Sequence, residues 1–385
     1  MRRRLAMHAE RAARLAARLR AWPGWRAAAL VLAVKALLLV YGAQAFVLWQ
    51  NERLGSFYDW LAVWNRWDAP HYLDLAREGY VSRGVGARWV VFYPLYPWLV
   101  RAAAFVLRDW LVAALFVSGV ASLAAGVLLY RLARLDESEE VAGASVFYLL
   151  AFPTAYFLHV GYTESLFLAL ALGAFLAARG RRWAAAGALG ALAGLTRVNG
   201  LLLVPALACE AWAEYRDEGR ARAAWLWLAG PLAGFGVYLL INWWVLGDPG
   251  AFLDAQGDYW DKSLAWPWVG IQGSWRSAWV RPPAEAQMVG SHELFFVALG
   301  LGLTAWAWAS LRASYAAWMS CNWLLWTSTK FVLSVPRYTL VLFPAFILFA
   351  RLRASRPAWG AAVAVWSLLF LALFAARFAQ GYWAF

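Results

Sequence analysis

Four polar stretches in an otherwise apolar chain hold the residues able to do chemistry. RWDAPHYLDLAREGY (66–80) carries Asp68, His71, Asp74 and Glu78. Pro70 favours a helix start, and in a helix from Ala69 the side chains of His71, Tyr72 and Leu75 share one face, with Asp68 at its lip. Asp74, Arg77 and Glu78 point elsewhere and read as a solvated face. Asp68 then suits either an ordinary N-cap or a fixed carboxylate that accepts a proton; for His71 an interfacial hydrogen bond is the competing role. FPTAYFLHVGYTESLF (152–167) puts Glu164 near hydrocarbon with no adjacent Lys or Arg. A carboxylate there is costly unless it is paired or lines a wet cavity, although Thr163, Glu164 and Ser165 also resemble a helix-capping cluster.

The other two stretches supply cations. In LTRVNGLL (195–202), Arg197 sits in an apolar run where it needs an anion, either a carboxylate such as Asp68 or Glu164 or a phosphate. In STKFVLSVPRYTLVLFP (328–344), Lys330 and Arg337 bracket a turn set by Pro336; Arg337 suits head-group snorkelling or the same anion site. One or two carboxylates with two or three cations fit one type of chemistry. The carboxylate takes a proton from an acceptor hydroxyl as it attacks a sugar carbon, and the cations stabilise the departing phosphate. The chain has no GxGxxG after a strand, no P-loop and no HExxH, so a lipid-phosphate donor is the simplest source of that phosphate.

The elements that must position these residues are membrane helices. The chain has 385 residues, 63% hydrophobic and 15% charged, with 28 Trp and a mean hydropathy of +0.54. That composition is far from a soluble domain and predicts an all-α polytopic membrane protein. The net charge of +13 needs no nucleic acid, because the basic residues concentrate in the segments expected on the cytoplasmic side. Residues 1–26 carry eight Arg and read as a cytoplasmic basic helix lying on anionic membrane lipids. Residues 27–385 read as one transmembrane domain with external loops at 50–109 and 247–292. Eleven spans are expected: 27–49, 110–130, 141–160, 164–178, 184–196, 200–213, 223–246, 293–309, 315–334, 338–350 and 358–377, with the N-terminus inside. Residues 92–107 suit a re-entrant or surface helix, Lys35 is expected to snorkel, and TRVNG marks a broken helix of the type that lines a cavity. Trp260, Trp266, Trp268, Trp275 and Trp279 read as an interfacial belt. Cys209 and Cys321 lie in apolar segments with neither metal nor disulfide spacing.

RWDAPHY (66–72) with EGY (78–80), FYPLYP (92–97), YTESLF (162–167), LTRVNGLL (195–202) and PRY (336–338) occur in the order found in the PIG-V family, the enzymes that add the second mannose in GPI-anchor assembly, and its bacterial relatives. The chain resembles that family over residues 66–338. The resemblance implies a GT-C-type glycosyltransferase with its active site at the extracytoplasmic face, transferring mannose from a polyprenyl-phosphate-mannose donor with inversion. It maps the essential acid of the first external loop onto Asp68, the catalytic base. The donor-phosphate set is then Arg197, Arg337, Lys330 and His71, and the substrate-binding set is Tyr162, Glu164, Asn199 and Trp67. The acceptor is expected to be a glycolipid or a lipid-linked glycan. Asp68 stands without a DxD partner, which favours a reaction with no metal and no cofactor. A transporter or flippase of lipid-linked sugars is the alternative. The absence of an internal repeat and the gathering of charges at one face weigh against it.

Overall fold

The computed structural model describes residues 24–385; the basic segment expected at 1–26 lies almost wholly outside them. Every regular element among the described residues is helical, apart from one isolated bridge between Leu264 and Thr329. In chain order the helices are α1 (Trp25–Gln50), α2 (Phe57–Ala62), α3 (Ala69–Glu78), α4 (Leu95–Leu107), α5 (Trp110–Ala133), α6 (Glu139–Ala151), α7 (Glu164–Arg179), α8 (Trp183–Gly194), α9 (Leu203–Glu218) and α10 (Gly230–Leu246). They continue with α11 (Ala251–Trp260), α12 (Pro267–Val280), α13 (His292–Ser310), α14 (Ala313–Thr327), α15 (Val335–Tyr338), α16 (Phe343–Ser355) and α17 (Pro357–Ala379).

Five helical stretches are long and apolar enough to cross a membrane: α1, α5, 223–246, 283–310 and α17. Two bent pairs raise this to seven, Val85–Val91 with α4 at 114° and Val335–Val341 with α16 at 79°. The first pair covers the segment expected to be re-entrant. The expectation of eleven spans additionally counts α6, α7, α8, α9 and α14, none longer than 16 residues. At about 1.5 Å per residue these rise no more than about 24 Å, short of a hydrocarbon core of about 30 Å, so length and composition alone do not count them.

α7 is the central element. All but three of its residues are buried, and it packs on α5, α8 and α9; a helix apolar on every side belongs in an interior. α8 meets α10 through small residues, and a side chain added at Gly234 would run into the Ala191 carbonyl. The same crowding fixes the break after α8, since a Cβ at Gly200 would overlap the backbone of Gly194.

The segment between α1 and α5 is anchored from both sides. Arg101 on α4 donates to the carbonyl oxygens of Ala76 at 2.6 Å and Arg77 at 3.2 Å, capping the C-terminal end of α3. Asp109 caps α5 through Val112 N–H at 2.8 Å. Lys35, expected to snorkel, instead donates inward to the His159 carbonyl at 2.9 Å, because a carbonyl left free at the irregular end of 155–158 is within reach.

Candidate active site

Asp68 occupies the N-cap position of α3, yet its side chain makes no capping bond. Its Oδ2 accepts from Arg337 Nη1 at 2.8 Å instead. The backbone explains the choice. Asp68 is already helical (φ −74°, ψ −20°), whereas an N-cap side chain reaches back to the N2 or N3 amide from an extended backbone. The turn before it is forced: Trp67 has φ +58°, a costly conformation for a bulky residue that persists only where its surroundings hold it. Tyr162 does the holding. Its hydroxyl accepts from Asp68 N–H at 3.0 Å and donates to the Arg66 carbonyl at 2.9 Å.

Arg337 is the hub. It is 7% exposed, and besides Asp68 it binds Glu164 Oε1 through Nε at 2.5 Å. Arg197 Nη1 reaches the same Glu164 oxygen and donates to Thr163 Oγ1 at 2.9 Å. The result is a chain, Asp68–Arg337–Glu164–Arg197, drawn from four helix ends or breaks. Glu164 is 1% exposed, and its Oε2 has no hydrogen-bond partner. The Asp68 side chain keeps 25% of its surface and accepts nothing at Oδ1 among the described residues. The cluster thus combines a closed side, where Glu164 is locked between two guanidinium groups, with an open carboxylate oxygen. Phe157 and Tyr162 face the Arg337 guanidinium at 5.0 and 4.7 Å, a cation–π wall that keeps it dry.

The other predicted residues disperse. Lys330 pairs with Asp261 at 3.5 Å on the exposed surface, away from the chain of charges. His71 stacks on Trp89 with 3.6 Å between centroids, and its Nδ1 is buried without a partner. Burial lowers the imidazole below its ordinary value more than nearby Asp68 and Asp74 raise it, and its ring lies on Trp89, outside the chain of charges. Trp67 is exposed, donates to the Tyr382 carbonyl at 3.2 Å and packs edge-on against Trp383. Asn199 is buried against Asn322, donating to its Oδ1 at 2.7 Å. The Tyr162 hydroxyl is fully occupied by the turn it holds.

Three residues that sequence reasoning passed over stand at the cluster. Glu293, fully buried at the start of α13, accepts from Ser334 N–H at 2.6 Å and Val335 N–H at 2.8 Å. It thereby fixes the turn (Ser334 φ +70°) that launches Arg337. Its only sequence signal was an acid opening an apolar run. Tyr338 lies next to Arg337 and under Arg197, 5.5 Å from ring to guanidinium. Lys262, which looks like any solvated charge in DKS (261–263), donates to the Tyr338 hydroxyl at 2.9 Å.

No family model and no curated protein matches this chain. Solved structures do. ArnT from Cupriavidus metallidurans bound to undecaprenyl phosphate aligns with a TM-score of 0.51 at 16% identity, covering 92% of this chain and 74% of that one. The Archaeoglobus fulgidus oligosaccharyltransferase complexed with zinc and sulfate aligns at 0.49 and 13% identity over 90% of this chain, which spans about half (53%) of that protein's length. The likeness to the ArnT structure shows the fold, an all-helical GT-C type.

Proposed function

We propose that the protein is an integral membrane glycosyltransferase of the PIG-V type. It transfers mannose from a polyprenyl-phosphate-mannose donor to a hydroxyl of a glycolipid or lipid-linked glycan at the extracytoplasmic face. Residues 27–385 form the catalytic unit, with Asp68 as general base. The observation that carries this reading is the Asp68 carboxylate, withdrawn from helix capping and held by Arg337 with one oxygen open. It occurs in a fold shared with a protein bound to undecaprenyl phosphate.

In this mechanism Asp68 Oδ1 takes the acceptor proton as the acceptor oxygen bonds to the anomeric carbon. The carbon–oxygen bond to phosphate breaks on the opposite face, inverting the centre, and the phosphate leaves as a monoester. Arg337 fixes Asp68 and, with Arg197, sets a positive field for the departing charge. Glu164 holds both guanidinium groups in register. The basic loops expected on one side of the membrane support the assignment of the Asp68 end to the other.

The test incubates detergent-solubilised protein with polyprenyl-phosphate-mannose and a host lipid extract, with products read by mass spectrometry. The expected product is a lipid heavier by one hexose, absent with Asp68→Asn. Transfer at the wild-type rate by Asp68→Asn protein overturns the role of Asp68. No hexosylated lipid from folded protein overturns the assignment.

A further inference from the structure

The two lysines at the junction of α11 and α12 with the 328–333 segment have been sorted by the fold. α11 ends in a left-handed Asp261 (φ +50°), and Lys262 N–H closes back on the Gln256 carbonyl at 3.0 Å, which reverses the chain. The chain then pairs with 328–330: Lys330 N–H donates to Ser263 at 2.9 Å and Ala265 N–H to Ser328 at 3.2 Å, flanking the Leu264–Thr329 bridge. This register turns Lys330 outward onto Asp261 and Lys262 inward. Lys262 is half-buried, and its ammonium donates only to neutral oxygens, the Tyr338 hydroxyl at 2.9 Å and the Leu333 carbonyl at 3.3 Å. Among the described residues it has no carboxylate partner.

Tyr338 is the common neighbour of three cations. Lys262 Nζ lies 4.9 Å from its ring centroid, and the guanidinium carbons of Arg197 and Arg337 lie at 5.5 and 5.9 Å. Arg337 is committed to two carboxylates. Arg197 spends only Nη1 on Glu164 and Thr163, leaving Nε and Nη2 without a bonded partner among the described residues. Trp326, tilted beside Tyr338 at 6.1 Å, has a buried indole N–H that is bonded to nothing. Open donors and an ammonium bonded to no carboxylate around one ring call for an anion rich in acceptor oxygens.

We propose that Lys262, Arg197 and the Tyr338 hydroxyl form the cradle for the phosphate of the lipid-linked donor, with Lys262 as its principal cation. This rests on the glycosyl-transfer reading and gives the role expected of Lys330 to a residue of the second loop. A phosphate oxygen replaces the neutral partners of Lys262 without breaking an ion pair, which Arg337 cannot offer. The second loop, through Lys262, thereby becomes part of the donor site.

The test measures binding to the full chain in nanodiscs by native mass spectrometry, with undecaprenyl phosphate, phosphatidylglycerol and inorganic phosphate as probes. Loss of a charge-assisted contact is worth about tenfold or more in affinity. Lys262→Gln should therefore weaken undecaprenyl phosphate by about that factor, while Lys262→Arg keeps most of it. Tyr338→Phe, which removes only the hydroxyl, should weaken it less and serves where Lys262→Gln lowers the thermal midpoint. Unchanged affinity in both Lys262→Gln and Tyr338→Phe overturns the cradle, as does a larger loss from Lys330→Gln than from Lys262→Gln. An equal Lys262-dependent loss for phosphatidylglycerol or inorganic phosphate overturns the assignment to a donor phosphate. Wild-type protein that binds no undecaprenyl phosphate overturns the glycosyl-transfer reading itself, whereas wild-type binding indifferent to Lys262 leaves that reading standing and removes only the cradle.

Discussion

Arginines meet carboxylates at both ends of α7. At its C-terminal end Arg179 binds Asp136 at 2.7 Å, Arg312 binds Glu210 at 2.9 Å, and Arg351 binds Glu137. Two of these three cations keep a third or more of the side chain exposed, Arg312 at 38% and Arg351 at 33%, while Arg179 is buried at 11%. Arg312 projects from the short link between α13 and α14, and Arg351 from the C-terminal part of α16. At the N-terminal end of α7 the cations are buried, Arg337 at 8% and Arg197 at 12% exposure, and they come from breaks within the bundle. One carboxylate oxygen there is orphaned and another is open. The exposed network closes helix ends against water and leaves little unsatisfied. The buried one keeps its groups in costly surroundings with bonding capacity to spare, the condition under which charged groups are held for a ligand rather than for stability.

The sharpest way to break this contrast is Asp68→Asn. It is expected to lower the transfer rate by about 10²–10⁴-fold, the contribution of a positioned base, with little change in thermal midpoint. A comparable rate loss from Glu137→Gln at the other end would erase the distinction. Next is Glu164→Gln. It leaves the buried Arg197 without a carboxylate and Arg337 with Asp68 alone, and the unfolding free energy is expected to fall by about 3–5 kcal/mol, visible as a lower thermal midpoint in detergent. Glu210→Gln, whose Arg312 partner is partly exposed and whose bond from Ser314 the amide oxygen can keep, is expected to cost less and to leave transfer per folded molecule intact. A larger thermal loss at Glu210 than at Glu164 would reverse the ranking of the two networks.

Glu293→Gln sharpens the comparison from one step away. The amide oxygen can still accept, but the amide nitrogen now faces Ser334 or Val335 N–H, donor against donor, and the turn carrying Arg337 loosens. About a tenfold fall in transfer is expected, with wild-type expression and only a modest shift in thermal midpoint. Retained kcat with wild-type KM would show the turn to be set by other contacts.

The smallest effect concerns pH. The His71 imidazole is held below its unfolded value by burial. Between the two values the unfolded chain binds more protons than the folded one, so this residue costs stability as pH falls below about 6.5. His71→Phe should flatten the thermal midpoint between pH 7 and pH 5 relative to wild type. An unchanged slope assigns the acid sensitivity to other groups.

The helices were legible in the sequence because hydrophobic run length and basic loops follow from the solvent the chain must meet. Each of the eleven expected spans overlaps a helix, but 141–160 and 315–334 run nine and seven residues past the ends of α6 and α14, and 338–350 is divided between α15, a 3₁₀ turn and α16. The short ones, α6 to α9 and α14, could be recognised as apolar but not measured against a bilayer without their neighbours. The four polar stretches were legible for a similar reason, since a charge in an apolar run requires compensation wherever it lies. Their partners were not. Arg197 had Asp68, Glu164 and a phosphate as open possibilities, and only the packing of α7 against α8 brought it to Glu164.

Composition and pattern by themselves determined a helical membrane protein with isolated carboxylates and arginines at helix breaks. Tertiary structure decided how they associate. It turned the Asp68 side chain from its own helix to Arg337, residues away by more than half the chain, and it sent Lys330 outward while bringing Lys262 in. It also recruited Glu293 to hold a turn it does not adjoin in sequence. The physical reason is range. Burial and periodicity are properties of a segment and its solvent, whereas an ion pair or a capped turn depends on the meeting of two segments, which short-range sequence pattern does not encode.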